Sequence, residues 1–315
     1  MTEKYLLSLF LSVFIIFLTG CGDEGIVTQT QITELSPRPA IAPSQIKVPV
    51  PGEVYFSENG FTIDFSNKDQ GYVMVSYSRG LTDHVIAQII KNDTAYRFDI
   101  NINGYWEILP LPLGDGLYIV TLLEHVRDQM FAMALSKEIN VELAQPNISF
   151  LHPNQFVNFN PESNAIVLAY ELAQGAFGEL DVVRNIYEFI IANIVYDHAK
   201  ADAIISGELT NYWPDIDLVL ERGMGICFDY AALMTAMLRA QMIPTRLEVG
   251  YVTGDIYHAW ISVYTAETGW VGAVQFIGRG WTRMDPTFSA GAYQGGGDMS
   301  AFIGDENNYL TTFIY

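Results

Sequence analysis

The spacing of apolar residues changes at about Gln145, and this change limits the folds that the sequence can adopt. Between Ile46 and Leu143, short strand-like runs are separated by turn residues such as Asn103-Gly104. Several short strands joined by such turns are typical of a small antiparallel β-sandwich. We therefore predict a β-sandwich domain at residues 46–145.

After Gln145 the pattern becomes helical and then returns to strands. In the segment 181–193, Val183, Ile186 and Ile190 recur at steps of three and four residues, which places them on one helix face. Further helices are predicted at 166–173 and from Cys227 to about Ala240, and strands at 245–253, 257–264 and 281–285. Helices followed by strands, without βαβ alternation, indicate an α+β domain. We assign it to residues 146–315.

The N-terminal 21 residues resemble an export signal. Lys4 precedes an apolar run at residues 5–17, which is too short to span a bilayer comfortably. The run ends in Leu18-Thr19-Gly20-Cys21, which looks like a lipobox, the signature of bacterial lipoproteins. That resemblance implies cleavage before Cys21 and acylation of its thiol. The alternative is an ordinary secretory signal that contains a cysteine by chance.

An acylated Cys21 would anchor the chain to a membrane without spanning it. Residues 22–45 are rich in Thr, Gln, Pro and Gly, and we interpret them as a flexible tether. The predicted location is therefore the cell envelope, outside the cytoplasm. Only Cys227 would then remain as a free thiol, since the sequence has two cysteines. A leftover thiol in an exported protein is a candidate for a reactive group.

The net charge of −20 excludes a typical nucleic-acid-binding protein, which carries a basic patch. It is compatible with an acidic soluble surface or a weak preference for basic partners. The sequence contains no HExxH, CxxC or EF-hand motif and no phosphate-binding glycine loop. We therefore predict neither a metal nor a cofactor, and interpret Gly295-Gly296-Gly297-Asp298 as a flexible loop.

Cys227 stands at the predicted start of a buried helix. Gly223 and Gly225, just before it, allow a sharp turn and close backbone approach. Unpaired N–H groups and the helix dipole favour negative charge at a helix start, so a thiol there tends towards the reactive thiolate. The alternative is an inert core cysteine.

His258 lies on a predicted strand between Ile256 and Trp260, where its ring would be restricted, as suits a general base.

The order of Cys227, His258 and Asp285 is that of a known family. The segments Gly225-Ile226-Cys227-Phe228-Asp229-Tyr230-Ala231, Tyr257-His258-Ala259-Trp260 and Met284-Asp285-Pro286-Thr287-Phe288 resemble the transglutaminase-like core domain. So do Arg239-Ala240, Ile243-Pro244-Thr245-Arg246, Val249-Gly250-Tyr251 and, before the cysteine, Asn193-Ile194-Val195-Tyr196-Asp197. The resemblance covers about residues 154–290, and its strength lies in the joint occurrence of these segments.

The resemblance implies a papain-like fold with Cys227 as nucleophile, His258 as general acid and base, and Asp285 as the residue that orients His258. For the oxyanion, the backbone N–H of Cys227 is a candidate donor on physical grounds. Tyr212 and Trp213, in the loop before the cysteine, are further candidates. The expected substrate is a protein or peptide.

Three functional alternatives remain open. The first is acyl transfer, deamidation or hydrolysis of amide bonds through a thioester. The second is a papain-like peptidase or cell-wall peptide hydrolase with the same triad. The third is a non-catalytic binding or scaffold lipoprotein with a vestigial triad, although a binding domain has no need for all three residues.

Overall fold

A computed structural model describes residues 36–315 of the chain. The predictions of an export signal at residues 1–21 and of acylation at Cys21 lie outside this part. Within residues 36–315, no helix is both long enough and apolar enough to cross a membrane. The described part is a mixture of helices and antiparallel sheets, which confirms the predicted α+β class with a preceding β-domain.

The N-terminal region contains two four-stranded antiparallel sheets. In spatial order, the first consists of β1 (Tyr55–Glu58), β2 (Phe61–Asp64), β3 (Tyr72–Tyr77) and β6 (Glu107–Pro110). The second consists of β5 (Thr94–Ile100), β4 (Val85–Lys91), β7 (Gly116–Arg127) and β8 (Met130–Val141). The hairpin between β1 and β2 turns at Asn59 and Gly60, whose φ angles are 51° and 80°. Two positive φ angles are what a tight two-residue hairpin requires.

The two sheets contribute to one apolar core. On β5 the buried side chains Tyr96, Phe98 and Ile100 alternate with more exposed ones, whereas every residue of β3 is buried. Alternation arises because successive residues of a strand face opposite sides of the sheet. The buried cluster continues into the helices of the following region, so the sandwich and the helical region share a continuous core.

Among the residues that the structure describes, the C-terminal region contains seven α-helices. They are α1 (Asn164–Ala173), α2 (Glu179–Asn193), α3 (His198–Ile205), α4 (Ile216–Arg222), α5 (Cys227–Ala240), α6 (Pro286–Gly295) and α7 (Ser300–Gly304). From Asp229 to Ala240, every residue of α5 is buried. This helix is therefore the centre of the region, as its apolar sequence predicts.

A four-stranded antiparallel sheet packs against α5. Its strands, in spatial order, are β15 (Gly280–Met284), β12 (Ile256–Thr265), β11 (Thr245–Val252) and β16 (Tyr309–Ile314). Two short ribbons complete the region, namely β9 (Val195–Tyr196) with β10 (Met224–Gly225), and β13 (Thr268–Val271) with β14 (Val274–Ile277).

Several elements have no counterpart in the sequence-based interpretation, among them α3, α4, α6, α7 and the strands of the two short ribbons. Strand β16 has no counterpart among the predicted strands, although it pairs with the central strand β11. The glycine-rich segment that we interpreted as a loop begins inside α6, which extends to Gly295. Gly296, with a φ of 71°, then ends the helix in the left-handed conformation that favours glycine.

Residues 36–45, the last part of the predicted tether, contact the C-terminal region. The backbone N–H of Arg38 donates to Ala176 O at 2.7 Å, and its guanidinium donates to Gln241 O at 2.6 Å. The side-chain amide of Gln241, which is buried, exchanges two hydrogen bonds with the backbone of Ile41. This short segment is therefore bound to the C-terminal end of α5.

Candidate active site

Cys227 is the first residue of α5, in agreement with the predicted helix start. The side chain is partly exposed and its thiol is free. Gly225 lies so close to Asp229 that a Cβ added to it would approach the Asp229 Cβ to 2.6 Å. Glycine is thus needed at this position because the chain turns tightly into the helix.

A buried carboxylate holds the start of α5. Asp229 is fully buried, and its Oδ2 accepts hydrogen bonds from Ile226 N at 2.8 Å and from Lys200 Nζ at 2.8 Å. The Tyr212 hydroxyl donates to Oδ1 of the same carboxylate. A buried charge is stable only when it is paired and hydrogen-bonded, and these partners meet that requirement. They fix the backbone from which Cys227 projects.

His258 lies on β12 opposite Gly250 of β11. Its ring is 5% exposed and stacks on the Phe288 ring, with centroids 4.5 Å apart and planes at 11°. The ring of Trp260 lies on the same strand face, at 6.2 Å. Packing between these aromatic rings restricts rotation of the imidazole, as predicted from the apolar neighbours along the strand.

Asp285 lies beside the imidazole and is fully buried. Its Oδ2 accepts from His258 Nε2 at 2.7 Å and from the Tyr309 hydroxyl at 3.0 Å. Its Oδ1 accepts from Phe288 N at 3.0 Å and so caps the start of α6. The carboxylate is therefore fixed by both a helix start and strand β16. The structure brings together the two residues that the sequence paired.

The imidazole interacts with both Asp285 and Cys227. Burial by itself would lower the pKa of His258, but hydrogen bonds to Asp285 and to Cys227 outweigh it and raise that pKa well above 6.5. Because Nε2 faces Asp285, Nδ1 is the nitrogen left for Cys227. The three predicted residues thus form one connected cluster, with a ring that favours the imidazolium state.

Two tyrosines lie near the thiol. Burial raises the pKa of Tyr196, and negative charge at Cys227 raises it further. Burial likewise raises the pKa of Tyr257, to which Tyr251 and Cys227 also contribute. Tyr196 is on β9 and Tyr257 on β12, and both are exposed at the surface. Both tyrosines therefore respond to the charge of Cys227, from two different elements.

The two side chains predicted as oxyanion donors occupy different surroundings. Tyr212 accepts from Lys200 Nζ at 2.9 Å and donates its single hydroxyl proton to Asp229, so that proton is already committed. Trp213 is 37% exposed and lines a cavity between the sandwich and the helical region. The backbone N–H of Cys227, at the first turn of α5, remains a candidate because first-turn N–H groups have no partner within the helix.

Sequence reasoning missed three residues that support the cluster, namely Lys200, Asp229 and Tyr309. Asp229 had a detectable signal, because an acidic residue at the third helical position commonly caps a helix start. Lys200 and Tyr309 had none, since their contacts depend on how distant segments meet.

Among residues 36–315, no group of three or more His, Cys, Asp or Glu side chains is placed to hold a metal ion.

Comparisons with known proteins give a family match and two similar structures. Residues 167–286 match the model of the transglutaminase-like superfamily. No curated protein matches the sequence. One solved structure, named as a putative cysteine protease from Cytophaga hutchinsonii, is 17% identical, with 74% of this chain and 79% of that chain covered and a TM-score of 0.34. Another, a putative protease from Parabacteroides distasonis, is 14% identical, with coverages of 64% and 60% and a TM-score of 0.26.

The family match includes Cys227, His258 and Asp285 within its bounds. It supports a cysteine enzyme in general terms, as does the arrangement of a thiol, an imidazole and a carboxylate. Residues 167–286 of this chain form a domain of the transglutaminase-like superfamily.

Proposed function

We propose that the chain is an enzyme that attacks amide bonds of protein or peptide substrates through a thioester at Cys227. The observation that carries the proposal is the position of His258, which is hydrogen-bonded to the buried Asp285 and whose pKa is also raised by Cys227. A nucleophile within reach of a base, with the base oriented by a third group, is the arrangement of nucleophilic acyl transfer.

In the proposed acylation step, the Cys227 thiolate attacks the carbonyl carbon of an amide. The first-turn backbone N–H of Cys227 would donate to the resulting oxyanion. As the intermediate collapses, the C–N bond breaks and the His258 imidazolium gives its proton to the leaving nitrogen. An acyl thioester and a free amine or ammonia are formed.

In the second step, a nucleophile attacks the thioester carbonyl while neutral His258 accepts its proton, and the C–S bond breaks to restore the thiolate. Water as nucleophile gives hydrolysis of a peptide bond or deamidation of a glutamine. A lysine amine gives a cross-link. The choice depends on which nucleophile reaches the thioester, because the three residues serve each outcome equally.

We also propose that acylated Cys21 anchors the enzyme outside the cytoplasm, on the basis of the lipobox-like sequence. The test is metabolic labelling of the full chain with radioactive palmitate in a bacterial host. Wild-type protein is expected to carry label in the membrane fraction, and Cys21→Ala is expected to carry none. Equal labelling of both proteins would contradict the anchor.

The reactivity of the thiol tests the proposed chemistry. In the Cys21→Ala variant, Cys227 is the single cysteine, so iodoacetamide labelling reports on it alone. We expect fast alkylation at pH 6 in the folded protein and a slower rate, close to that of free cysteine, in denaturing urea. A thiol that reacts only after unfolding would instead support an inert core cysteine.

The outcome of the second step is tested with a labelled primary amine and a glutamine-rich protein. Covalent incorporation of the amine identifies cross-linking, release of ammonia without incorporation identifies deamidation, and shorter peptides identify proteolysis. All three products should disappear in Cys227→Ala. Product formation by that variant would contradict the proposed nucleophile.

A further inference from the structure

A cavity of about 540 Å³ lies between the β-sandwich and the helical region. The side chains that distinguish it are aromatic, acidic or amide, namely Asp99, Trp106, Glu107, Asn154, Gln155 and Trp213. We call it the acidic–aromatic cavity. Its wall includes no lysine or arginine and none of the three residues of the candidate active site. Its chemistry therefore differs from that of the site around Cys227.

The two carboxylates of the cavity have different partners. Asp99 is 2.6 Å from His84 Nε2 and so has a partner of its own. Glu107 forms no ion pair within residues 36–315. Burial raises the pKa of Glu107, against which a backbone hydrogen bond from Asn101 acts in the opposite direction. A partly buried carboxylate without a cation is stabilised when a cation is supplied.

Two tryptophans add a second preference for positive charge. Trp106 and Trp213 are each 37% exposed and both line the cavity. The face of an indole ring attracts ammonium and guanidinium groups, and tryptophan is the strongest of the aromatic residues in this respect. An unpaired carboxylate and two indole rings around one cavity thus favour the same class of ligand.

A buried amide provides an independent indication of a ligand. Asn154 lines the cavity and is 4% exposed. Its Oδ1 accepts from Phe156 N and Val157 N, whereas its Nδ2 has no hydrogen-bond partner. A buried donor without a partner is costly, so most such groups in proteins are satisfied. A carbonyl oxygen of a bound peptide would satisfy it.

Two short connections link the cavity to the candidate active site. Trp213 follows Tyr212, whose hydroxyl binds Asp229 in the first turn of α5. Gln155 precedes Phe156, whose ring centroid is 5.9 Å from that of Phe228, the residue next to Cys227. The cavity therefore lies on the side of the molecule where α5 begins.

We propose that the acidic–aromatic cavity binds a lysine or arginine side chain of the peptide whose amide is attacked at Cys227. The inference rests on the proposed function for the identity of the ligand as substrate. Glu107 would pair with the cationic group, the indoles of Trp106 and Trp213 would contact it, and Asn154 would donate to the peptide backbone. The acidic net charge of −20 would assist the approach of such a substrate.

The test measures binding without turnover, in the full chain carrying Cys227→Ala. Fluorescein-labelled tetralysine is the probe, and fluorescence anisotropy gives its Kd. We expect Trp106→Ala to weaken binding about tenfold and Glu107→Gln about fivefold. Matched controls are Tyr105→Ala, an exposed neighbour outside the cavity wall, and Glu53→Gln, an exposed carboxylate elsewhere. Both should leave the Kd within about twofold.

The same peptide with acetylated lysines, and the sugar chitotetraose, separate charge recognition from other modes. Weak binding of both supports the inference. It is overturned if the acetylated peptide binds as tightly as tetralysine, if chitotetraose displaces the probe, or if the control variants weaken binding as much as the cavity variants. Thermal unfolding confirms that each variant is folded.

The result is independent of the thiol chemistry, because Cys227 is absent from the binding measurement. An activated thiol together with no effect of Trp106→Ala and Glu107→Gln overturns the cavity alone. Specific tetralysine binding together with an inert thiol overturns the proposed function and, with it, the description of the ligand as a substrate.

Discussion

The β-sandwich and the C-terminal region bury their charged groups very differently. In the sandwich, Asp64 is the one fully buried charged residue among those described, and it binds the backbone of Gly52 and Ser66 nearby. Among Asp, Glu, His, Lys and Arg, the C-terminal region buries five residues, namely Asp229, Arg239, Glu248, His258 and Asp285. Its interior is thus built around polar contacts as well as apolar packing.

The partners of these buried groups explain the difference. Arg239, for example, donates to carbonyl oxygens of His152, Thr245 and Tyr315, which belong to three distant segments. Apolar packing is tolerant of small shifts, whereas a buried charge requires its partners at fixed positions. The sandwich therefore contributes mainly stability. In the C-terminal region, part of the stability is given up because buried charged groups must be held at fixed positions.

The largest effect is expected from removal of the thiol in the C-terminal region. Cys227→Ala is expected to lower the rate of amide turnover by at least ~10³-fold, as deletion of a nucleophile does in other triads. Because the side chain is only partly buried, the free energy of unfolding should change little. Steady-state kinetics and urea unfolding measure the two quantities. Retention of full activity would remove Cys227 from the mechanism.

The next largest effect is expected from the ion pair between Lys200 and Asp229, in the first turn of the helix that begins at Cys227. Lys200→Met leaves the Asp229 carboxylate buried without its cation, which should cost about 3–5 kcal/mol in the free energy of unfolding. Asp181→Asn, which breaks the partly exposed pair with Arg184, is the matched control and should cost less than about 1 kcal/mol. Similar costs in urea titrations of both variants would contradict the importance of the buried pair.

A third variant tests the pH dependence of the imidazole pair. Asp285→Asn should lower the turnover rate by at least about 10²-fold, because His258 loses the anion that orients it. It also removes the Asp285 charge that raises the His258 pKa, so this pKa should fall, although Cys227 still raises it against the effect of burial. Asparagine still accepts a hydrogen bond from Phe288 N, so α6 keeps its cap.

The sign of the pH effect follows from linkage. A His258 pKa raised by folding stabilises the wild type fully below pH 6.5, and this contribution is lost as pH rises through the raised value. The difference in unfolding free energy between wild type and Asp285→Asn should therefore be largest at pH 6 and smaller at alkaline pH. A difference that grows with pH would contradict the assigned role of the pair.

The smallest effect is expected in the sandwich. Ile89 is fully buried on β4, and Ile89→Val should lower the free energy of unfolding by about 1 kcal/mol. The rate of iodoacetamide labelling at Cys227 should stay at the wild-type value, since the core there tolerates loss of one methylene. A slower or faster labelling rate would show that sandwich packing sets the geometry of the thiol.

The sequence predicts the parts of this molecule that have local signals. The helix from Cys227 to Ala240 is found with those same bounds, because a glycine-rich entry and a continuous apolar face determine it. The strands bearing His258 and preceding Asp285 agree to within one or two residues. Alternating apolar residues and turn signals likewise reveal the two sheets of the N-terminal region.

Other features depend on contacts between distant segments and carry no local signal. Tyr309 is an ordinary strand residue until β16 pairs with β11 and brings its hydroxyl to Asp285. Lys200 resembles any surface lysine of a short helix until its amine reaches Asp229. The residues that hold the cluster in place are therefore harder to predict than the cluster itself.

Strand β16 has a consequence for the order of events during synthesis. It comes after Cys227, His258 and Asp285 in the sequence, yet Tyr309 binds Asp285 and the strand forms one edge of the sheet. Because ribosomes build chains from the N-terminus, a nascent chain can hold its nucleophile long before the carboxylate is fixed. The reactive arrangement would therefore mature only after β16 has been made.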